Sequence, residues 1–279
     1  MLENPTRAVS LREVGLSLFC VQNQTIGSNH VCVCIQFQTK SDLKRRRIVT
    51  QNIKDAFANI NWDDPENWIP SGRNILNELH CNRALLRKML DAVVSDDELF
   101  DLSEINGPFD KIVLFDDGRS RLRLHKWRTV EDELIHDHRY DFVSVVLHGS
   151  YRHRLYSSFD VEVASSDTPS QLAAEAAKPI PDFKMVQPQV AFETVVKTGD
   201  IYAITHTMPH VTLVEEGTVS LVLRGPARKR YSGVANISEA TRFVGMGAKD
   251  ETQTMKNEKV MNEIYFGTVA DSLKSAGVL

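Results

Sequence analysis

Glu133 to Tyr156 reads ELIHDHRYDFVSVVLHGSYRHRLY, and the fold turns on how this stretch is read. Read as a β-strand, it sends alternate side chains to opposite faces, so His136 and His138 project to one side about 6–7 Å apart. Two imidazoles on one face can share a metal ion. The β-branched and aromatic run that follows, Phe142 to Leu147, stops at His148-Gly149-Ser150, and a second strand-like segment covers Tyr151 to Tyr156. The reading is a hairpin that carries a His-x-His pair.

A third nitrogen ligand is available in GDIYAITHTMPHVTLVEEGTVSLVLRGP, Gly199 to Pro226. Gly199-Asp200 and Met208-Pro209 are turn signals, Ile201 to Ile204 is an apolar strand, and His210 opens a strand that runs to Val214. Glu216-Gly217 closes what reads as another hairpin. His206, four residues before His210, is the alternative third ligand. His148 and His153 read as hairpin-surface histidines and His125 as structural.

A His-x-His strand ending in Gly149, followed by a Gly-Asp turn and a histidine eleven residues after Gly199, resembles the two motifs of the cupin superfamily. The resemblance spans roughly residues 110 to 230. It implies a mainly β fold, a double-stranded β-helix (jelly-roll) barrel with N-terminal and C-terminal helices, and it carries the metal ligands to His136, His138 and His210. Cupins commonly add a glutamate four or five residues after the second histidine, where this chain has Phe142 and Val143. Asp141 lies one residue earlier, and alternation turns it away from the face of His136 and His138. A site of three histidines is similar to the cysteine-dioxygenase branch, and Trp127 in RSRLRLHKW resembles that branch's strand leading into His-x-His. Ser220 falls at the serine of its Ser-His-Tyr relay, but Val222 and Arg224 occupy the next two relay positions. Lys111 falls near the branch's substrate-holding arginine, as a point charge instead of a fork.

Neutral imidazoles leave a divalent ion its full charge, so such a site favours an anion. The resemblance makes Fe(II) the first expectation, while imidazole ligation alone suits Ni, Zn or Cu as well. If Ser220 faces the barrel interior, so does Arg224, and a buried guanidinium needs an anionic partner. Arg224, Ser220 and Lys111 are therefore the expected catalytic or substrate-contacting residues. Two functions follow. One is a non-haem iron dioxygenase-like oxidoreductase that oxidises a small anionic molecule, an amino acid or thiol acid, with dioxygen. The other is a cupin that binds a small ligand or metal without turnover. Isomerase or hydrolase chemistry on the same metal is a third reading.

The 279 residues are 42% apolar, enough for a substantial core, and carry a net charge of −4. No global basic field recommends nucleic acid or an anionic membrane as partner, and no apolar run reaches the ~18 residues of a bilayer span. Charges interrupt the apolar residues of the N-terminus, so a cytoplasmic location is expected. Cys20, Cys32, Cys34 and Cys81 lack metal or disulfide spacing and read as reduced thiols, although His30, Cys32 and Cys34 share a strand face.

Three regions are expected: a largely helical 1–107, a barrel over 108–232 and a helical tail over 233–279. In the first, Leu11 to Val21 is amphipathic and Val31 to Phe37 alternates as a strand. Lys44 to Arg47 is a basic run that reads as a solvated helix side, with a nuclear address or a phosphate patch as the alternatives. Trp62 and Trp68 read as packing residues. Ser71 reads as the cap of a long helix broken at Asn82, Ser95-Asp96-Asp97 as a second cap, and Asn106-Gly107-Pro108 as the end of the helical part. Arg119, Arg121 and Arg123 share a face, either to grip an acid or as the solvent side of an edge strand. Ser165 to Pro181 is a polar loop, a lid or a tolerated insertion. Strands are expected to stop after Arg230. A C-terminal helix over Glu258 to Ala276 then packs on the barrel or on the partner subunit of a homodimer.

Overall fold

The computed structural model describes residues 53–128, 134–156, 189–229, 232–236, 241–245 and 253–279. Leu11 to Val21, Val31 to Phe37, Cys20, the His30/Cys32/Cys34 face, Lys44 to Arg47 and Ser165 to Pro181 lie outside these residues.

Helix α1 (Pro65–Cys81) starts earlier than Ser71 suggests, because Asp64-Pro65 is itself a cap followed by a favoured first helical residue. The Asp64 carboxylate accepts from the Glu66 amide at 3.0 Å. Ser71 lies inside the helix, and Pro70, only one turn in, removes a single backbone bond. Asn82 does mark a break: it ends α1 and caps α2 (Arg83–Val93), accepting from the Leu85 amide at 3.1 Å. Asp96 caps the short α3 (Asp97–Asp101) in the same way. Trp62 and Trp68 stack at 5.7 Å and are buried, as packing residues. Helix α1 lies so close to the barrel that a Cβ on Gly72 would come within 2.7 Å of Val143 Cγ2.

Among the described residues twelve strands follow: β1 (Glu104–Asn106), β2 (Phe109–Asp116), β3 (Arg121–Trp127), β4 (Leu134–His136), β5 (Tyr140–His148), β6 (Ser150–Tyr156), β7 (Val190–Lys197), β8 (Ile201–Ile204), β9 (His210–Val214), β10 (Val219–Ala227), β11 (Ser232–Asn236) and β12 (Thr241–Gly245). They form two six-stranded antiparallel sheets, ordered β1-β2-β3-β10-β5-β8 and β12-β11-β4-β9-β6-β7. This is the two-sheet jelly-roll class that the resemblance implies, with helices at both ends of the described chain.

Several turns have a different role from the one their residues suggest. Strands β5 and β6 do not pair; β5 lies between β10 and β8 in the first sheet, and β6 between β9 and β7 in the second. Gly149 is thus a corner between sheets, at φ +78, and a Cβ there would meet Thr218 Oγ1 at 2.6 Å. Met208-Pro209 and Glu216-Gly217 are corners too, carrying the chain from β8 to β9 and from β9 to β10 across the sheets. His-x-His is itself a crossing: His136 ends β4 in one sheet, and His138 lies in the link to β5 in the other.

Asn106-Gly107-Pro108 does not close a helical region but turns the β1–β2 hairpin. Strands β11 and β12 lie beyond Arg230, where strands were expected to stop. Residues Ile53–Leu279 form one compact unit, and the divisions at 107 and 232 both fall inside it.

Strand β5 is buried on both faces from Phe142 to Leu147, with α1 on one side and the barrel interior on the other. After α4 (Gln253–Glu258), helix α5 (Glu263–Ser275) packs back on this same chain. Its Tyr265 hydroxyl donates to Asp110 Oδ1 at 2.9 Å, and its Phe266 ring lies 5.9 Å from that of Phe100.

Candidate functional site

Backbone pairing creates the histidine cluster. His136, the last residue of β4, stands opposite His210, the first residue of β9. The crossing that follows β4 brings His138 beside both. Ring centroids are separated by 5.0 Å (His136–His138), 4.6 Å (His136–His210) and 4.8 Å (His138–His210). The crossing is pinned by Asp137, between the two histidines: its carboxylate accepts from the Gly233 amide at 2.7 Å and pairs with Lys229.

Second contacts fix the tautomers of two of the rings. Nδ1 of His136 lies 3.1 Å from the Leu134 carbonyl and Nδ1 of His210 lies 3.2 Å from that of Met208. Each Nδ1–H donates, which leaves Nε2 with a free lone pair. Burial is the largest cause that holds the pKa of all three histidines below the ordinary value, and neighbouring histidines add to it at His138 and His210, which lie well below. They are neutral ligands at neutral pH.

The three donor atoms lie within 4.8 Å of one another, and His138 Nε2 is 3.2 Å from His210 Nε2. With metal–nitrogen bonds of about 2.0–2.1 Å, two ligands on one ion stand about 2.9–3.4 Å apart between right-angle and tetrahedral geometry. The closer pair matches that spacing, with His136 further out, and the donor set fits a divalent ion.

Among the described residues no carboxylate joins them. Phe142 stands edge-on to His138, with ring centroids 4.8 Å apart. Asp141 is turned away and buried, accepting from the His206 amide at 2.7 Å, from His206 Nδ1 at 2.8 Å and from Arg228 Nε at 3.2 Å. His206 therefore stands with Asp141 and outside the cluster. His148 is exposed. His153 is not a surface residue: it is buried behind the site, its ring 5.0 Å from that of His210, and burial pushes its pKa down to about 4.

The histidines line a cavity of about 450 Å³. Ser220, Val222 and Arg224 all line it, so the register assumed for β10 is the one observed, and Lys111 lines it too. Ser220 stands opposite His125, also a lining residue, across β10 and β3. The Lys111 ammonium is bonded to Glu104, and burial lowers its pKa.

Strand β3 is not an edge strand; it lies between β2 and β10, and Arg121 and Arg123 line the cavity. Arg119 precedes the strand and is exposed. Arg121 pairs with Asp116. Arg123 donates to the Tyr140 hydroxyl at 2.9 Å. Burial pushes the Tyr140 phenol up, but Arg123, Arg224 and Lys111 outweigh it and hold its pKa below the usual tyrosine value. Tyr140 and Tyr202 are site residues that the motifs did not mark, and the signal for Tyr140 was its position two residues beyond His138. The Tyr202 hydroxyl accepts from that of Tyr151 at 2.5 Å.

No protein-family model matches this chain, and no curated protein does. Among solved structures it is similar to KdgF from Halomonas sp., at 13% identity over 44% of this chain and 85% of that one, with a TM-score of 0.29. It is similar to an RmlC-like cupin from Shewanella frigidimarina at 14% identity, covering 44% and 81% of the two chains, with a TM-score of 0.29. A structure of FeII HppE shares 14% identity over 42% of this chain and 49% of its own, with a TM-score of 0.26. The jelly-roll assignment of this chain rests on its own sheet order.

Proposed function

We propose that His136, His138 and His210 hold one divalent ion, Fe(II) by first expectation, and that the cavity admits a small anionic substrate for oxidation by dioxygen. One observation carries this reading: three neutral imidazoles converge in a cavity that Lys111, Arg121, Arg123 and Arg224 also line. When bound, such an ion supplies Lewis acidity and open positions for exogenous ligands.

The chain's own residues supply the rest. Without a carboxylate ligand, the ion's double charge is left to an incoming anion. Arg224 and Lys111 add positive charge for the far end of that anion. Phe142 and Val222, packed with Ile204, give the cavity an apolar side that limits water and strengthens each charged contact. An amino acid or thiol acid fits these demands.

Oxygen consumption by the metal-loaded protein against a panel of small amino and thiol acids tests the reading. Uptake dependent on one of these acids is expected. Arg224→Leu should weaken that acid's binding by several-fold to roughly a hundredfold, since a desolvated charge contact contributes ~1.5–3 kcal/mol, and leave bound metal unchanged. Metal and acid bound without oxygen uptake would place the site among binding modules.

A further inference from the structure

The basic side of the cavity is more heavily charged than one carboxylate requires. Six basic side chains (Lys111, Arg121, Arg123, Arg139, Arg224 and Lys259) and two acidic ones (Glu104 and Asp137) line it, in a chain whose net charge is −4. Lys111 has Glu104 and Arg121 has Asp116. Arg123 and Arg224 make no ion pair with a carboxylate among the described residues, although Asp116 attracts Arg224 from farther off. Arg123 is only 8% exposed, its one bond from Nη1 goes to the Tyr140 hydroxyl, and its Nε–H is buried without an acceptor. Arg224 gives Nη1 to the Gly225 carbonyl at 2.8 Å, and its Nε–H is likewise buried and unpartnered.

These two guanidiniums both lie against the Tyr140 ring. Arg224 stands opposite Arg121 across β3 and β10, one alternation from Arg123 on the same strand face. Both guanidinium carbons lie 5.2 Å from the centroid of the Tyr140 ring. Burial and then the repulsion of Arg123 and Arg121 push the Arg224 guanidinium down to about 9. Two desolvated like charges that repel each other on one side of the cavity cost free energy until an anion joins them. A single carboxylate would neutralise one and leave the other buried and unpaired.

We infer that Arg123 and Arg224 form a subsite for a dianionic oxyanion group of the phosphate monoester or phosphonate class, beside the histidine cluster. Resting on the anionic-substrate reading above, this narrows the substrate to a small acid that also carries a phosphate or phosphonate group. One phenol ring separates the two ends of the site: Tyr140 stacks on His138 at 5.5 Å between centroids and meets both guanidiniums on its own ring. The reacting end of the molecule would face the histidines. Guanidinium suits the other end because its planar fork matches phosphate oxygens.

The test is titration of the full chain with inorganic phosphate, followed by calorimetry and by thermal unfolding at about pH 8, where phosphate is dianionic. Acetate and malonate at equal ionic strength are the comparison anions. Phosphate should bind and raise the unfolding temperature more than either. Arg123→Gln and Arg224→Gln should each weaken it about ten- to hundredfold, with Arg123→Lys intermediate. His210→Ala should bind phosphate as the wild type does, because the subsite does not need the metal. Equal binding of malonate, or phosphate binding that survives Arg123→Gln and is lost in His210→Ala, would overturn the inference. Metal content and oxygen uptake measured on the same preparations separate its failure from failure of the metal reading: a protein that holds metal and consumes oxygen but ignores phosphate contradicts only the subsite.

Discussion

His138 Nε2 lies 3.2 Å from His210 Nε2, although 72 residues separate them in sequence. The His210 nitrogen carries a lone pair, since its Nδ1–H is committed to the Met208 carbonyl. Both imidazoles are held well below their ordinary pKa and are neutral at neutral pH, so at most one N–H stands between the two nitrogens, and a divalent ion that draws on both lone pairs should replace it. Adding Fe(II) or Zn(II) to chelator-treated protein should therefore raise its unfolding temperature. At a hundredfold excess over Kd the gain is ~2.7 kcal/mol, or roughly 5–10 °C for a domain of this size. Thermal scans with and without metal check this, and no shift would count against the site.

Asp137 pins the crossing between the two ligands of His-x-His through the Gly233 amide and Lys229. Asp137→Ala frees that link without touching a ligand atom. Metal affinity should fall about tenfold or more, as it does when groups that orient ligands are lost. Asp137→Asn, which can still accept from Gly233, should lose less. Competition with a chromophoric chelator measures both.

His153 gives the metal-free protein a pH dependence. Its folded pKa, about 4, lies below the ordinary value of 6.5, so the unfolded chain takes up the proton first as pH falls. The stability associated with a neutral His153 is fully present above about pH 6.5 and is lost as pH falls toward 4, up to about 3 kcal/mol in all. Its Nε2 has no hydrogen-bond partner to lose. His153→Phe should therefore flatten the decline between pH 7.5 and 4.5 by about one proton in urea denaturation. An unchanged slope would show that His153 is not the buried group responsible.

The resemblance pointed to His136, His138 and His210, and the structure brings these three side chains together, although not by strand alternation, since β4 ends at His136 and His138 lies in the link to β5. The sequence could not say which sheet the next strand joins. Gly149, Met208-Pro209 and Glu216-Gly217 all reverse the chain, and a reversal looks the same in sequence whether it closes a hairpin or turns a corner. The same gap explains the arginines. Alternation put Arg121 and Arg123 on one face, but only the β2-β3-β10 order shows that β3 is central and that this face looks inward. His153 was misplaced for that reason too: on a two-stranded hairpin it would be wet, whereas on β6, between β9 and β7, it is buried. Strands β11 and β12 come before the tail whose helical spacing led the whole stretch after Arg230 to be read as helical.

Gly149→Ala probes the corner directly. The backbone sits at φ +78, and the added methyl would come within 2.6 Å of Thr218 Oγ1 and 3.1 Å of Thr218 Cα. Strain and overlap together should cost about 1–3 kcal/mol, lowering the unfolding temperature by several degrees. Gly217→Ala offers the comparison, with φ +81 but nothing within 4 Å of the added Cβ. It should cost less, and equal losses would show that the close approach to Thr218 contributes nothing.

The central claim is that three histidines bind one metal ion. Elemental analysis of purified wild type, His136→Ala, His138→Ala, His210→Ala and the control His148→Ala, all expressed and purified identically, tests it most directly. The account predicts close to one transition-metal ion per chain in wild type and in His148→Ala, and loss of most of it in each of the other three. Wild-type metal content in all three ligand variants, or none in the wild type after metal loading, would contradict it.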